Sequence, residues 1–131
     1  MFIIERFDQL NALVRALHAA KFTVPAEKNP IFAGSPILAD VMDEAYDALL
    51  AAAVTEVEKN IARSFRTGRA LKKRDDVQRV VLEHLRLTCQ DRIWGQWTKQ
   101  DRFDFVRILI RPYCADDELV EDLLQRPEQS P

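Results

Sequence analysis

Residues 35–68 read SPILADVMDEAYDALLAAAVTEVEKNIARSFRTG, and the spacing of their apolar positions decides the fold class. Leu38, Val41, Met42, Ala45, Leu49, Ala53, Val57, Ile61 and Phe65 recur at three- and four-residue steps, which lines one face of a helix. Ser35 stands as N-cap with Pro36 at the first helical position, and Asp40, Asp43 and Glu44 follow near the positive end of the dipole. Gly68 supplies a C-terminal stop. The stripe predicts one helix of about 30 residues, roughly 45 Å at about 1.5 Å per residue. A helix longer than a domain of this size is wide implies either a kink or a second subunit packed along it. Alanines at 45, 48, 51, 52 and 53 ease close helix approach, so a homodimer is expected.

Outward from this segment the chain keeps helical periodicity. Ile3, Phe7, Leu10, Val14 and Leu17 line the core face of a first helix. The run TVPAEKNPIFAGSP that follows Phe22 holds three prolines, which forbid interior helical bonds. It reads as a long loop that packs Ile31 and Phe32 over the bundle as a lid, with a partner contact as the alternative. A third helix is predicted from Asp75 to Trp94; its apolar residues cover more than half of its circumference, so it is central, and Gly95 ends it. Thr98 and Asp101 form a capping-box pattern ahead of RFDFVRILI, which Pro112 terminates. A strand over Phe103 to Ile110 would find no second strand to pair with. The last helix runs from Asp116 to about Gln125, before a frayed tail over 127–131. The expected fold is all-α: a single-domain bundle of about five helices with one long central helix, over residues 1–126.

Composition bounds the chemistry. A chain of 131 residues suits one domain, and 47% apolar with 31% charged residues is ordinary for a soluble protein. Met1 to Ile4 give way at once to Glu5 and Arg6, without the flank or core of a signal peptide, so the cytoplasm is the expected compartment and no membrane contact is expected. Cys89 and Cys114 are too few for a disulfide framework and are expected to be free. His18 and His84 lie far apart, and no His or Cys pair has metal-ligand spacing. Asp40, Asp43, Glu44 and Asp47 share a helix side, but a di-metal bundle would need Glu-x-x-His motifs, and solvated helix turns explain these acids better. There is no P-loop, no Gly-x-Gly-x-x-Gly and no Gly-x-Ser-x-Gly. No cofactor or metal is expected, and nucleotide hydrolysis and serine-hydrolase chemistry are disfavoured.

The small net charge hides a strong asymmetry. Residues 1–62 carry nine acids against five bases, 63–112 six against thirteen, and 113–131 six against one. Arg63, Arg66, Arg69, Lys72, Lys73 and Arg74 surround a helix–helix bend at Gly68, from which long side chains can fan toward one phosphate backbone. The competing reading is compensation within the chain. Arg63 and Arg66 would complement a helix C-terminus while the acidic segment Asp116 to Asp122 folds back over the bend. The overall acidity favours that reading, because it repels nucleic acid at long range. Trp94, Trp97, Phe103, Phe105 and Tyr113 interleave with Arg92, Arg102, Arg107 and Arg111, a pattern that suits base stacking where exposed and core packing where not.

The segment Arg79-Val-Val-Leu-Glu-His84 resembles the Arg-x4-6-His pattern of HEPN ribonucleases. That resemblance, limited to one helix and two residues, implies an all-α dimer in which Arg79 and His84 act on an RNA phosphodiester at the subunit interface. Val80 stands where that family often has a polar residue, and His84 lies among Val77, Val80, Val81 and Thr88, the setting of a core or interface histidine. The leading expectation is a non-enzymatic, homodimeric bundle of adaptor or inhibitor type that binds a protein partner through the 22–35 loop and the acidic C-terminal segment. The alternatives are nucleic-acid binding through Arg63 to Arg74, and a ribonuclease of the HEPN kind.

Overall fold

The computed structural model describes residues 3–23, 25 and 33–129, without the side chains of residues 67 and 127–129. Among them are seven α-helices and one 3-10 turn, and no strand: α1 (Phe7–Phe22), α2 (Pro36–Ala52), α3 (Glu56–Thr67), the turn Leu71–Lys73, α4 (Asp75–Thr88), α5 (Arg92–Gln96), α6 (Lys99–Ile110) and α7 (Asp117–Gln129). The fold is all-helical, as expected, with a finer division than five. No helix of the described residues is long and apolar enough to cross a membrane.

The long helix read over 36–67 is two helices, and the cause is local. Thr55 Oγ1 accepts from the Glu58 amide at 3.1 Å, while the Glu58 carboxylate accepts from the amides of Thr55 and Val54. This capping box starts a new helix inside an unbroken apolar stripe, and it ends α2 at Ala52. The expected long central helix is therefore replaced by a kinked pair. A second correction falls on the segment 75–94: Asp91 caps the Ile93 amide at 3.0 Å and opens α5, so Gly95 lies within a helix rather than ending one. The Thr98 capping box ahead of α6 forms as read. Ile3 precedes α1 and is exposed, so its stripe begins at Phe7. Helix α7 continues to Gln129, beyond the predicted start of the tail. Ile31 and Phe32 lie outside the described residues.

Helix α1 packs most extensively on α2, and α4 packs on α7 and α6. Leu10 and Val14 of α1, Met42 and Leu49 of α2, Val81 and Leu85 of α4, Leu109 of α6 and Leu123 of α7 meet in one core. At about 1.5–3 kcal/mol for each fully buried aliphatic side chain, this stack is the main favourable term. Ala45 is buried, and Ala48 and Ala52 pack against the core, so the small-residue face of α2 is used within the chain. Helix α3 contributes Ala62 alone to the fully buried core, which leaves its remaining surface to solvent and to the site.

The core also holds a lysine. Lys21 is 2% exposed, and its Nζ donates to the carbonyls of Ile108 and Arg111, both at 2.7 Å. Burial, with Arg111 nearby, pushes the ammonium down to about 7, and the Asp43 carboxylate opposes that shift. The unfolded chain therefore holds this proton more tightly than the folded one above about pH 7, and stability rises with pH across that window. Linkage gives a rise of about 2 kcal/mol between about pH 7 and about pH 9. Urea unfolding at the two pH values should show it in the wild type and a flattened response in Lys21→Met.

Candidate functional site: a basic bend over an arginine-lined cavity

The bend between α3 and α4 is held from both sides. Gly68 ends α3, its amide donating to the Ser64 carbonyl, and a methyl group there would lie 3.0 Å from that carbonyl oxygen. Residues 69–71 then run beside Cys114: the Cys114 amide donates to the Arg69 carbonyl at 2.7 Å and the Leu71 amide to the Cys114 carbonyl at 3.0 Å. Leu71 is fully buried, and the Gln78 side-chain amide donates to its carbonyl at 2.9 Å. Leu71 is thereby turned to the interior, with Lys72 and Lys73 in solvent and Arg69 and Arg74 partly covered.

On the outer side Arg63, Arg66, Lys72 and Lys73 are exposed. Arg63 donates to the Asn60 side chain. Arg66, Lys72 and Lys73 have no carboxylate partner among the described residues. The acidic last helix does not cover them. Asp117 pairs with Arg107, Glu121 with Lys99 and Asp122 with Arg126, while Asp116 accepts from the Leu119 amide. Asp116 shares with Arg66, Arg69 and Lys72 the rim of a cavity of about 380 Å³.

On the inner side the bend turns Arg69 and Arg74 into a second cavity, of about 310 Å³, whose walls also include Arg15, His18, Tyr46 and Tyr113. Arg69 belongs to both cavities. Among the described residues no carboxylate lines this one. Arg74 clamps Asp76 with two bonds, Nε to Oδ1 at 3.1 Å and Nη2 to Oδ2 at 2.9 Å, and these hold the Asp76 carboxyl down at about 2. Its Nη1 donates to the Tyr113 hydroxyl at 2.9 Å, and that hydroxyl lies 2.6 Å from His18 Nε2. A guanidinium only donates, so the Tyr113 oxygen accepts from Arg74, and its short contact with His18 Nε2 is a hydrogen bond whose direction is set by the imidazole tautomer. Burial and then Arg74 lower the His18 pKa, which favours the neutral ring. Burial raises the Tyr113 hydroxyl.

Arg69 is held differently. Its guanidinium stacks 4.7 Å from the centre of the Tyr46 ring, which meets Phe65 edge-on, and Arg15 lies 5.4 Å over Phe65. Arg69 Nε and Nη2 are shielded from solvent and meet no acceptor among the described residues. Leaving buried donors unmet costs about 1–3 kcal/mol each, more for a charged group.

Other sequence candidates do not meet. Arg79 is exposed on α4, whereas His84 is 5% exposed in the core with its Nε2 shielded and unpartnered among the described residues. The two do not form a common surface. Burial lowers the His84 pKa, with Lys21 adding to the effect. Asp40 and Asp43 both bind Arg111 at 2.7 Å. Trp94 is core, with Arg102 stacked 4.6 Å over it, and Trp97, Phe103 and Phe105 pack against the core. The sequence did not single out Arg15, His18 or Tyr46 as site members, and it offered Tyr113 only as a stacking or core aromatic. The partnership of His18 with Tyr113 spans 95 positions, and no local spacing signals it.

His18 lies below its ordinary 6.5, so the unfolded chain takes its proton more readily and this contribution to stability is lost as pH falls through that window. Replacing Arg74 by Gln removes the neighbouring positive charge, and the His18 titration followed by NMR should move upward. An unmoved titration would show that Arg74 does not act on the imidazole.

Comparison with known proteins brings no match: no family model, no curated protein and no solved structure aligns significantly with this chain.

Proposed function

We propose that this protein binds nucleic acid, without catalysing its cleavage, through the basic bend of Arg63, Arg66, Arg69, Lys72, Lys73 and Arg74. The observation that carries this reading is that Asp117, Glu121 and Asp122 of α7 pair with other residues while Arg66, Lys72 and Lys73 have no carboxylate partner among the described residues. The net charge of −2 argues against it only at a distance. At physiological salt the Debye length is about 8 Å, so a phosphate at the bend responds to the cations beside it more than to distant acids. Each phosphate neutralised releases counterions, which makes such binding steeply salt-dependent.

Replacing Arg66, Lys72 and Lys73 together by Gln should leave folding intact, because all three are exposed. For single strands, the loss of three phosphate contacts lowers the slope of log affinity against log salt by about 2. Fluorescence anisotropy with generic RNA and DNA across a salt series checks this, and an absence of binding even at low salt overturns the reading.

A protein partner is the second reading, and it is favoured by the α2–α3 elbow, where Val54 and Val57 are 75% and 69% exposed. If that elbow is a contact, Val57→Asp should abolish capture of the partner from a lysate and leave nucleic-acid binding unchanged.

A further inference from the structure

We propose that the cavity beneath the bend is a phosphomonoester site, which seats the terminal phosphate of a nucleotide chain lying on the bend. The identity of the chain rests on the nucleic-acid reading above; the anion specificity rests on the cavity itself.

Charge comes first. Of the three guanidinium groups in the walls, Arg74 is neutralised by its two bonds to Asp76. Arg15 donates to the neutral Asn11 side chain and has no carboxylate partner among the described residues, and Arg69 has only the Tyr46 ring. Among the described residues, therefore, two positive charges have no carboxylate partner and no carboxylate lines the cavity. A phosphomonoester carries about −1.5 to −2 at neutral pH and matches them, whereas an internal diester carries one charge.

Geometry comes next. The Arg69 edge that lacks acceptors, Nε with Nη2, is the same edge that Arg74 uses to grip the two oxygens of Asp76. Seating a phosphate requires rotation about the Arg69 stem, which would bring the shielded fork to the cavity that Arg69 lines and offer it to two phosphate oxygens in the same bidentate manner. Tyr113 is already bonded to His18 and Arg74, and Arg74 to Asp76, so Tyr113 and Arg74 serve as a fixed wall while Arg69 and Arg15 supply the donors. A volume of about 310 Å³ holds a phosphate with part of its sugar and is too small for a duplex. Because Arg69 also borders the cavity of Arg66 and Lys72, a strand whose end is seated here continues directly onto the exposed cations of the bend.

The test compares single-stranded oligonucleotides of one sequence that end in a 5′-phosphate, a 3′-phosphate or hydroxyls only, together with a nucleoside 5′-monophosphate. One phosphate-ended form should bind about tenfold more tightly than the hydroxyl-ended form, as one charge-assisted fork implies. Which end wins identifies the polarity of the strand. The advantage should vanish in Arg69→Gln and in Arg15→Gln, the latter being an exposed position on α1 where folding is undisturbed. It should persist in the triple Gln variant of Arg66, Lys72 and Lys73, whose affinity for every oligonucleotide drops together. Equal binding of all ends overturns the phosphomonoester site and leaves the nucleic-acid reading standing. Arg69-dependent binding of the monophosphate, with no binding of any oligonucleotide, supports the site and overturns the nucleic-acid reading.

Discussion

The backbone clamp between residues 69–71 and Cys114 is the constraint on which the rest of the site depends. Its two hydrogen bonds are reinforced by the complete burial of Leu71 and by the Gln78 amide that closes the Leu71 carbonyl. A bend of glycine and long cationic side chains would otherwise be a mobile connection. Pinned in this way, it places Arg74 against Tyr113 and Arg69 against Tyr46, and it orders side chains whose immobilisation would otherwise be charged against binding. The clamp also sets which face of the bend is wet, since a buried Leu71 leaves Lys72 and Lys73 outside.

The distribution of charge follows from the packing of helices around that clamp. Arg111 gathers Asp40 and Asp43 on α2 while its carbonyl, with that of Ile108, receives the Lys21 ammonium. These charged groups thus close the junction of α1, α2 and α6, with Lys21 buried and Arg111 held by two carboxylates. The acids of α7 meet Arg107 and Lys99 of the neighbouring α6 because α6 and α7 lie side by side. Both arrangements draw negative charge away from the bend. The positive potential there is a residue of pairing elsewhere rather than a consequence of net charge.

Several features were legible in the chain because their physics is local. Ser35 with Pro36, and Thr98 with Asp101, opened helices where the pattern placed them, since a cap is satisfied within one turn. The break at Val54 and Thr55 was also written locally, in Thr55-x-x-Glu58, but an apolar stripe that ran through it masked the signal. The burial of Trp94 and His84 agreed with their apolar neighbours at helical spacing. The ring of aromatics between 94 and 113 divided: most packed inward, whereas Tyr113 is buried yet keeps its hydroxyl at the wall of a cavity.

What the amino-acid sequence by itself determined is helical character, the cap positions and the concentration of cations between 63 and 74, all properties of residues within a few positions of one another. Only the tertiary structure decided which of those cations are compensated, that His18, Arg74 and Tyr113 form one hydrogen-bonded chain, and that a cavity opens beneath the bend. Arg74 finds Asp76 two positions away, but the hydrogen-bonded chain joins partners 39 to 95 positions apart, and the choice among such partners is made by the packing of the core, which no local spacing encodes.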